Sequence, residues 1–264
     1  MKRSAAIVLL SALAVCFLAQ GCAHEKPGKT DVPIKPAVPF AKFTDSFGIA
    51  FIPISSGTSK IGTDDVNSTA GPAYEAEVGD FFISDTEITV EIWTKYFKMN
   101  RHHKWGLWES LAKYAPDDQC PVISISRDDA EQFCKYVSEV EDAEYRLPTE
   151  EEWEYAARQG NSREVYDEAA LVKVREQWKY THPVRALPPD ETGLYGMCDN
   201  AWEWTSSDYR PYKGSKGIDP LFRLTTCVLR GGGFYDPCEV WTRHPSSPVR
   251  PNYDYGFRVL RELK

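Results

Sequence analysis

Apolar residues along this chain fall into two kinds of pattern, short uninterrupted runs and helical stripes. Ala50-Phe51-Ile52-Pro53-Ile54 and Phe81-Phe82-Ile83 are runs bounded by Gly, Ser and Asp, which predicts strands. Thr89 opens a helix in which Ile92, Trp93, Tyr96 and Phe97 recur on one side. A second helix follows Ser126, with Asp129 at the capping-box position and Ala130, Phe133, Cys134, Val137 and Val140 as its apolar stripe. The third has Thr149 as cap and Glu152 three residues on. Its inward side chains are Trp153, Ala156 and Ala157, and Gly160 stops it. From Thr181 to the end, short apolar segments alternate with Pro, Gly, Asn and Asp, and no helix is predicted. Val228-Leu229 and the run 256–260 read as strands there. The fold class is therefore α+β, with much irregular chain held by buried aromatics. Eight Trp, 14 Tyr and 12 Phe supply them.

The first residues follow neither pattern. Lys2 and Arg3 precede an apolar run over 5–19, about 15 residues, where a bilayer span needs about 20. The run reads as the core of a signal peptide, residues 1–22. Leu18-Ala19-Gln20-Gly21-Cys22 resembles a bacterial lipobox, making Cys22 the lipidated terminus. Ala23 after it fits export to an outer membrane, so the expected location is the bacterial cell envelope, with the lipid as membrane partner. Residues 23–40, rich in Lys, Pro and Gly, read as a tether. The rest, 41–264, reads as one domain, long enough for one sizeable core. Losing Lys2 and Arg3 with the signal takes the net charge from −8 to −10, which argues against nucleic acid as a partner. Five cysteines then remain, 120, 134, 198, 227 and 238. An oxidising compartment permits disulfides, an odd count leaves one thiol over, and spacing does not set the connectivity.

Several motifs occur in order over residues 43–262: Glu87-Ile88-Thr89, Pro121-Val122, Arg146-Leu147-Pro148-Thr149-Glu150, Gly193-Leu194-Tyr195, Asn200-Ala201-Trp202-Glu203-Trp204, Arg230-Gly231-Gly232 and Gly256-Phe257-Arg258. Together they resemble the formylglycine-generating enzyme (sulfatase-modifying factor) family. The resemblance implies an irregular fold related to C-type lectins. It also implies oxidation of a sulfatase cysteine with oxygen and a copper ion held by two cysteines. At the positions of those two cysteines this chain has Asp236 and Trp241. An indole cannot bind Cu(I), and a carboxylate is a hard ligand that suits it poorly. Cys238, between them, is the one candidate catalytic thiol; otherwise it is a buried thiol or pairs with Cys227 or Cys198. Non-haem iron has no better support. His102, His103, His182 and His244 form no ligand motif, and a dispersed set of His182, His244 and Asp236 has only its residue types in favour.

Calcium is the cofactor the resemblance best supports. The family's loop before Trp-Glu-Trp corresponds to Gly196, Asp199, Ala201 and Glu203 here. Gly196 lacks the usual Asn side chain, while Asp199 adds a carboxylate, and Ca2+ takes six to eight hard oxygens. In the other reading Glu203 simply accepts backbone N–H bonds. Cys134 loses its family partner because Val259 stands in that place. Tyr166-Asp167 replaces the family's Tyr-Pro-Trp-Gly, so that loop should differ. Arg146 with Glu150 to Glu154 reads as a solvated helix start with one buried ion pair. Arg230, Arg243, Arg250 and Arg258 either line an anion pocket or, as expected of Arg258, knit loops by bidentate bonds. The Trp residues read mostly as core, with aromatics between Trp105 and Tyr114 facing a groove. The expected function is a lipid-anchored module that binds an envelope protein, peptide or glycan without oxidising cysteine. The alternatives are a divergent oxidase acting on an exported protein or metabolite, and a structural subunit of a surface or secretion complex.

Overall fold

Adjacent residues of a strand point to opposite faces of its sheet, so a run buried on both faces must lie between two packed layers. Phe81–Ser84 is such a run, buried at all four positions. The computed structural model, which describes residues 41–99, 112–160, 168–217, 219–235 and 239–263, places it at the centre of a five-stranded sheet. The strands are β1 (Phe43–Thr44), β2 (Ala50–Ile54), β3 (Gly57–Ile61), β4 (Tyr74–Val78), β5 (Phe81–Ser84), β6 (Tyr145–Arg146), β7 (Trp202–Asp208), β8 (Cys227–Arg230), β9 (His244–Ser246), β10 (Tyr255–Gly256) and β11 (Leu260–Glu262). The larger sheet runs β1-β2-β5-β11-β6, a second runs β10-β7-β8-β9, and β3 with β4 forms a hairpin.

Four α-helices accompany them among the described residues, α1 (Val90–Met99), α2 (Arg127–Glu141), α3 (Glu150–Gly160) and α4 (Glu168–Gln177), with one 3-10 turn at Pro220–Arg223 in the stretch expected to hold no helix. Phe51 and Phe82 enter a core with Trp93 and Tyr96 of α1, Phe133 of α2 and Phe257. Trp93 stacks on Phe133 at 5.7 Å between centroids, and Phe257 meets Phe133 edge-on at 5.3 Å. Their sequence neighbours Ile52, Ile83 and Leu260 face the other way, onto Trp153, Ala156 and Ala157 of α3.

Both capping boxes form. Ser126 accepts from Asp129 N while Asp129 accepts from Ser126 N. Thr149 Oγ1 accepts from Glu152 N at 3.1 Å, and Glu152 Oε2 accepts from Thr149 N at 2.8 Å. Each satisfies two N–H groups that a helix start leaves unpaired. Val140, placed on the α2 stripe by its spacing, is instead exposed at the last-but-one residue of the helix. The run 256–260 is not one strand. Tyr255 and Gly256 pair in parallel with β7, while Leu260 to Glu262 pair antiparallel with β5 and β6. Phe257, Arg258 and Val259 cross between the two sheets, their backbone held by Ile88 N donating to Phe257 O and Ser84 N to Val259 O. α4 was not expected, for its apolar positions form no clear stripe. Among the described residues no helix is long and apolar enough to cross a membrane.

Candidate functional site

Where α3, β7, β8 and the crossing segment converge, the fold buries three Arg–Glu pairs. Arg258, fully buried, donates from Nε to Glu203 Oε2 at 2.6 Å and from Nη2 to Oε1 at 2.7 Å. It also reaches the carbonyls of Ser84 and Tyr195. Trp153 Nε1 donates to the same Glu203 oxygen at 2.6 Å. Arg230 is ion-paired with Glu154, both at 0% exposure, and donates to the carbonyls of Trp241 at 2.9 Å and Thr242 at 3.1 Å. Arg243 forks onto Glu150 at 2.7 and 2.9 Å. Glu150 and Glu154 are therefore buried partners rather than a solvated helix start. Arg230, Arg243 and Arg258 are consumed by carboxylates and line no anion pocket. Glu152 keeps a partly exposed pair with Arg146, and Glu154 also takes an i,i+4 ion pair from the partly exposed Arg158.

The expected calcium loop lies against this frame. Gly196 has φ +61°, a left-handed conformation that glycine adopts without cost, and its carbonyl is 3.4 Å from Arg258 Nη2. Asp199 pairs with His182 Nε2 at 2.9 Å, while His182 Nδ1 faces Pro183 O at 3.0 Å. Ala201 N donates to Asp199 O. Glu203 is occupied by side-chain donors, Arg258 and Trp153, rather than the backbone N–H groups of the simpler reading.

The residue that sequence reasoning missed is Glu87. It is 0% exposed, and neither carboxylate oxygen has a hydrogen-bond partner. A Cβ built on Gly196 would lie 2.7 Å from Glu87 Oε2, so the glycine leaves room for this carboxylate. Burial first, then the Glu203 carboxylate, push the Glu87 pKa well above the ordinary range against the pull of Arg258. Its sequence signal was its place at the head of the Glu87-Ile88-Thr89 motif, and the structure sets it inside a wholly buried run, 81–90. Among the described residues no three His, Cys, Asp or Glu side chains gather closely enough to hold a metal. A site here thus rests on at most two carboxylates plus carbonyls. An orphaned carboxylate beside a second one, with hard oxygen donors only, fits Ca2+ and no soft metal.

The thiols among the described residues are poorly placed for redox chemistry. Cys120, Cys134 and Cys227 are buried and unbridged, and Cys198 is buried as well. Burial raises the Cys120 thiol to about 11 and raises those of Cys134 and Cys227 too. Trp241 is half-buried, its ring 5.9 Å from the Arg158 guanidinium. Asp236, Cys238, Cys22, His102, His103, Trp105 and Trp108 lie outside the described residues. His244 Nε2 lies 2.9 Å from Tyr255 Oη. Ahead of residue 236 stands an aromatic cluster. Tyr114 stacks on Tyr253 at 5.3 Å and meets Tyr180 at 4.7 Å, while Phe234 meets Tyr180 and Tyr235. Tyr235 is 58% and Tyr253 42% exposed.

An irregular α+β domain whose loops are tied by buried Arg–Glu pairs is the class this architecture defines. It superimposes on PvdO from Pseudomonas aeruginosa with a TM-score of 0.69 at 20% identity, over 86% of this chain and 99% of that one. It also superimposes on Treponema denticola variable protein 1 with a TM-score of 0.68 at 21% identity, over 85% and 100%. At those identities the likeness speaks for the fold. The profile of the sulfatase-modifying factor enzyme 1-like domain matches residues 44–263, and the chain belongs to that family. It is 32% identical over 165 residues to the Inactive C-alpha-formylglycine-generating enzyme 2 of Mus musculus, covering 53% of this chain and 48% of the relative. It is 29% identical over 171 residues to the Formylglycine-generating enzyme of Streptomyces coelicolor, covering 54% and 52%. The chain thus matches about half the length of these relatives.

Proposed function

We propose that this is a lipid-anchored protein of the bacterial cell envelope in which oxidase chemistry has given way to binding of a protein partner. The observation that carries the reading is Trp241, an indole where the family's enzymes place a copper-binding thiol, in a chain whose described cysteines are all buried. Similarity to a relative named inactive supports it. The partner-binding face is the exposed aromatic cluster around Tyr235 and Tyr253, since tyrosines of this kind are enriched at interface centres. Lys113 and Lys179, lying over Tyr114 and Tyr180, add positive charge at its edge. Calcium is the proposed cofactor, held near the loop of Gly196, Asp199, Ala201 and Glu203. Cys22 carries the lipid.

A photo-crosslinking residue at position 235, in cells expressing the full chain, should trap a protein that the same residue at exposed Val172 does not. A position-independent pattern, or no adduct, removes the partner reading; the latter favours a glycan. Acyl labelling lost in Cys22→Ser tests the anchor. A divergent oxidase is the second reading, favoured by the similarity to an enzyme named for the activity. Copper-reconstituted protein that consumes oxygen with a cysteine peptide, and loses this in Cys238→Ser, would establish it instead.

A further inference from the structure

We propose that the cleft between α2 and β6 is a binding site for an uncharged, largely apolar small molecule. The cleft holds about 500 Å3, within the range of small-molecule sites and far beyond the water-sized voids that close packing leaves. Cys134, Tyr145 and Leu147 line it, each at 5% exposure or less. Ser138 of α2 and Ser206 of β7, both short, complete the walls. Tyr235 and Tyr253 do not line it, so it is a surface additional to the partner face.

The class of ligand follows from what the walls have left to offer. Ser138 Oγ donates to Cys134 O at 2.8 Å and accepts from Tyr145 N at 2.9 Å. Ser206 Oγ donates to Pro148 O at 3.3 Å, and its carbonyl accepts from Arg127 Nη2 at 3.0 Å. Arg127 also pairs with Glu131, and Arg146 is held by two carboxylates, Glu152 and Glu262. Lys135 and Glu139, exposed and one turn apart on α2, are opposite in sign and offset one another. The polar groups are thus committed before any ligand arrives. A charged ligand would lose hydration there without gaining a counter-ion, and water would find few polar partners. An apolar body that displaces such loosely held water gains affinity. At about 30 Å3 per water-sized group, the volume suits a ligand of about 10–16 heavy atoms.

Benzophenone, uncharged and within that size, is the probe, with 4-benzoylbenzoate as its anionic analogue and a trimethylammonium derivative as its cationic one. Full-length protein in detergent is irradiated with each, and the adducts are mapped by mass spectrometry. Benzophenone should label the stretch 134–147 saturably, as a single site requires. Each charged analogue should label it at least about tenfold less at equal free concentration, because its charge is buried without a partner. Ser206→Trp, which places an indole in the wall, should abolish the labelling while circular dichroism stays unchanged. The wild-type map and the charge series stand without that variant. Scattered or unsaturable labelling, labelling centred on Tyr235 and Tyr253, or equal labelling by a charged analogue overturns the proposal. A folded Ser206→Trp that labels like wild type overturns it too.

Discussion

Replacing Arg258 with Met removes one cation from beneath two buried carboxylates. Glu203, at 0% exposure, would keep only the Trp153 N–H, and Glu87 would gain an uncompensated neighbour. Breaking a buried ion pair by deleting one partner costs about 3–5 kcal/mol. The carbonyls of Ser84 and Tyr195 lose a donor as well, at about 1 kcal/mol each. Together these place the loss at about 5 kcal/mol, a large share of the 5–15 kcal/mol that holds a typical domain. Urea unfolding followed by tryptophan fluorescence measures it; at a slope of about 2 kcal/mol/M the midpoint falls by about 2.5 M. Arg146→Met is the control. Its pairs with Glu152 and Glu262 are partly exposed, so its loss should stay near 1 kcal/mol. Arg258→Met combined with Glu203→Met should recover part of the stability, because the stranded charge is gone. Equal midpoints for Arg258→Met and Arg146→Met would refute the idea that this pair holds the two sheets' crossing in place.

Gly196→Ala should cost about 1–2 kcal/mol from its left-handed backbone alone, and more if Glu87 cannot move aside; thermal unfolding reads it. Thr149→Ala should cost about 1 kcal/mol by removing half of the α3 capping box, again by urea midpoint. The buried thiols make stability fall in alkali. Unfolded Cys120 loses its proton near its ordinary 9.0 but the folded residue holds it to about 11, so folding is favoured below pH 9 and weakens as pH rises through that window. The slope is about 1.4 kcal/mol per pH unit at most, and Cys120→Ala should flatten it.

What could be read from the chain was what neighbours in sequence decide. Ser126 with Asp129 and Thr149 with Glu152 are three residues apart, so their caps were visible, as were the doubly buried strands β2 and β5. The β3–β4 hairpin was hidden because Gly57–Ile61 and Tyr74–Val78 are mostly polar, with burial only at alternate or end positions. α4 was hidden by a sequence of good helix formers without a single apolar side. The ion pairs were least legible. Glu150 with Arg243, Glu154 with Arg230 and Glu203 with Arg258 are separated by 93, 76 and 55 residues. Nothing local distinguishes Glu150 or Glu154 from the solvated glutamates beside them. Glu87 escaped for the same reason, since its importance lies in the partner it lacks.

The frame also explains how the side chain at 241 can vary without harm to the fold. Arg230 holds the 241–242 segment through its backbone carbonyls, and Glu154 holds Arg230, so the side chain at 241 is not what anchors the turn. Trp241 contributes packing on the α3-side core and a contact with Arg158, worth about 1–2 kcal/mol for a half-buried ring. Trp241→Cys with Asp236→Cys should therefore leave the domain folded while supplying two soft thiolates, the ligand pair that Cu(I) favours. Competition against a Cu(I) chelator should give about one copper per chain for the double variant and none for wild type or either single variant. A double variant that folds, by circular dichroism, yet takes up no copper would mean that the segment around 236–241 has been rebuilt. The departure from the enzymes would then lie in the backbone as well as in two side chains.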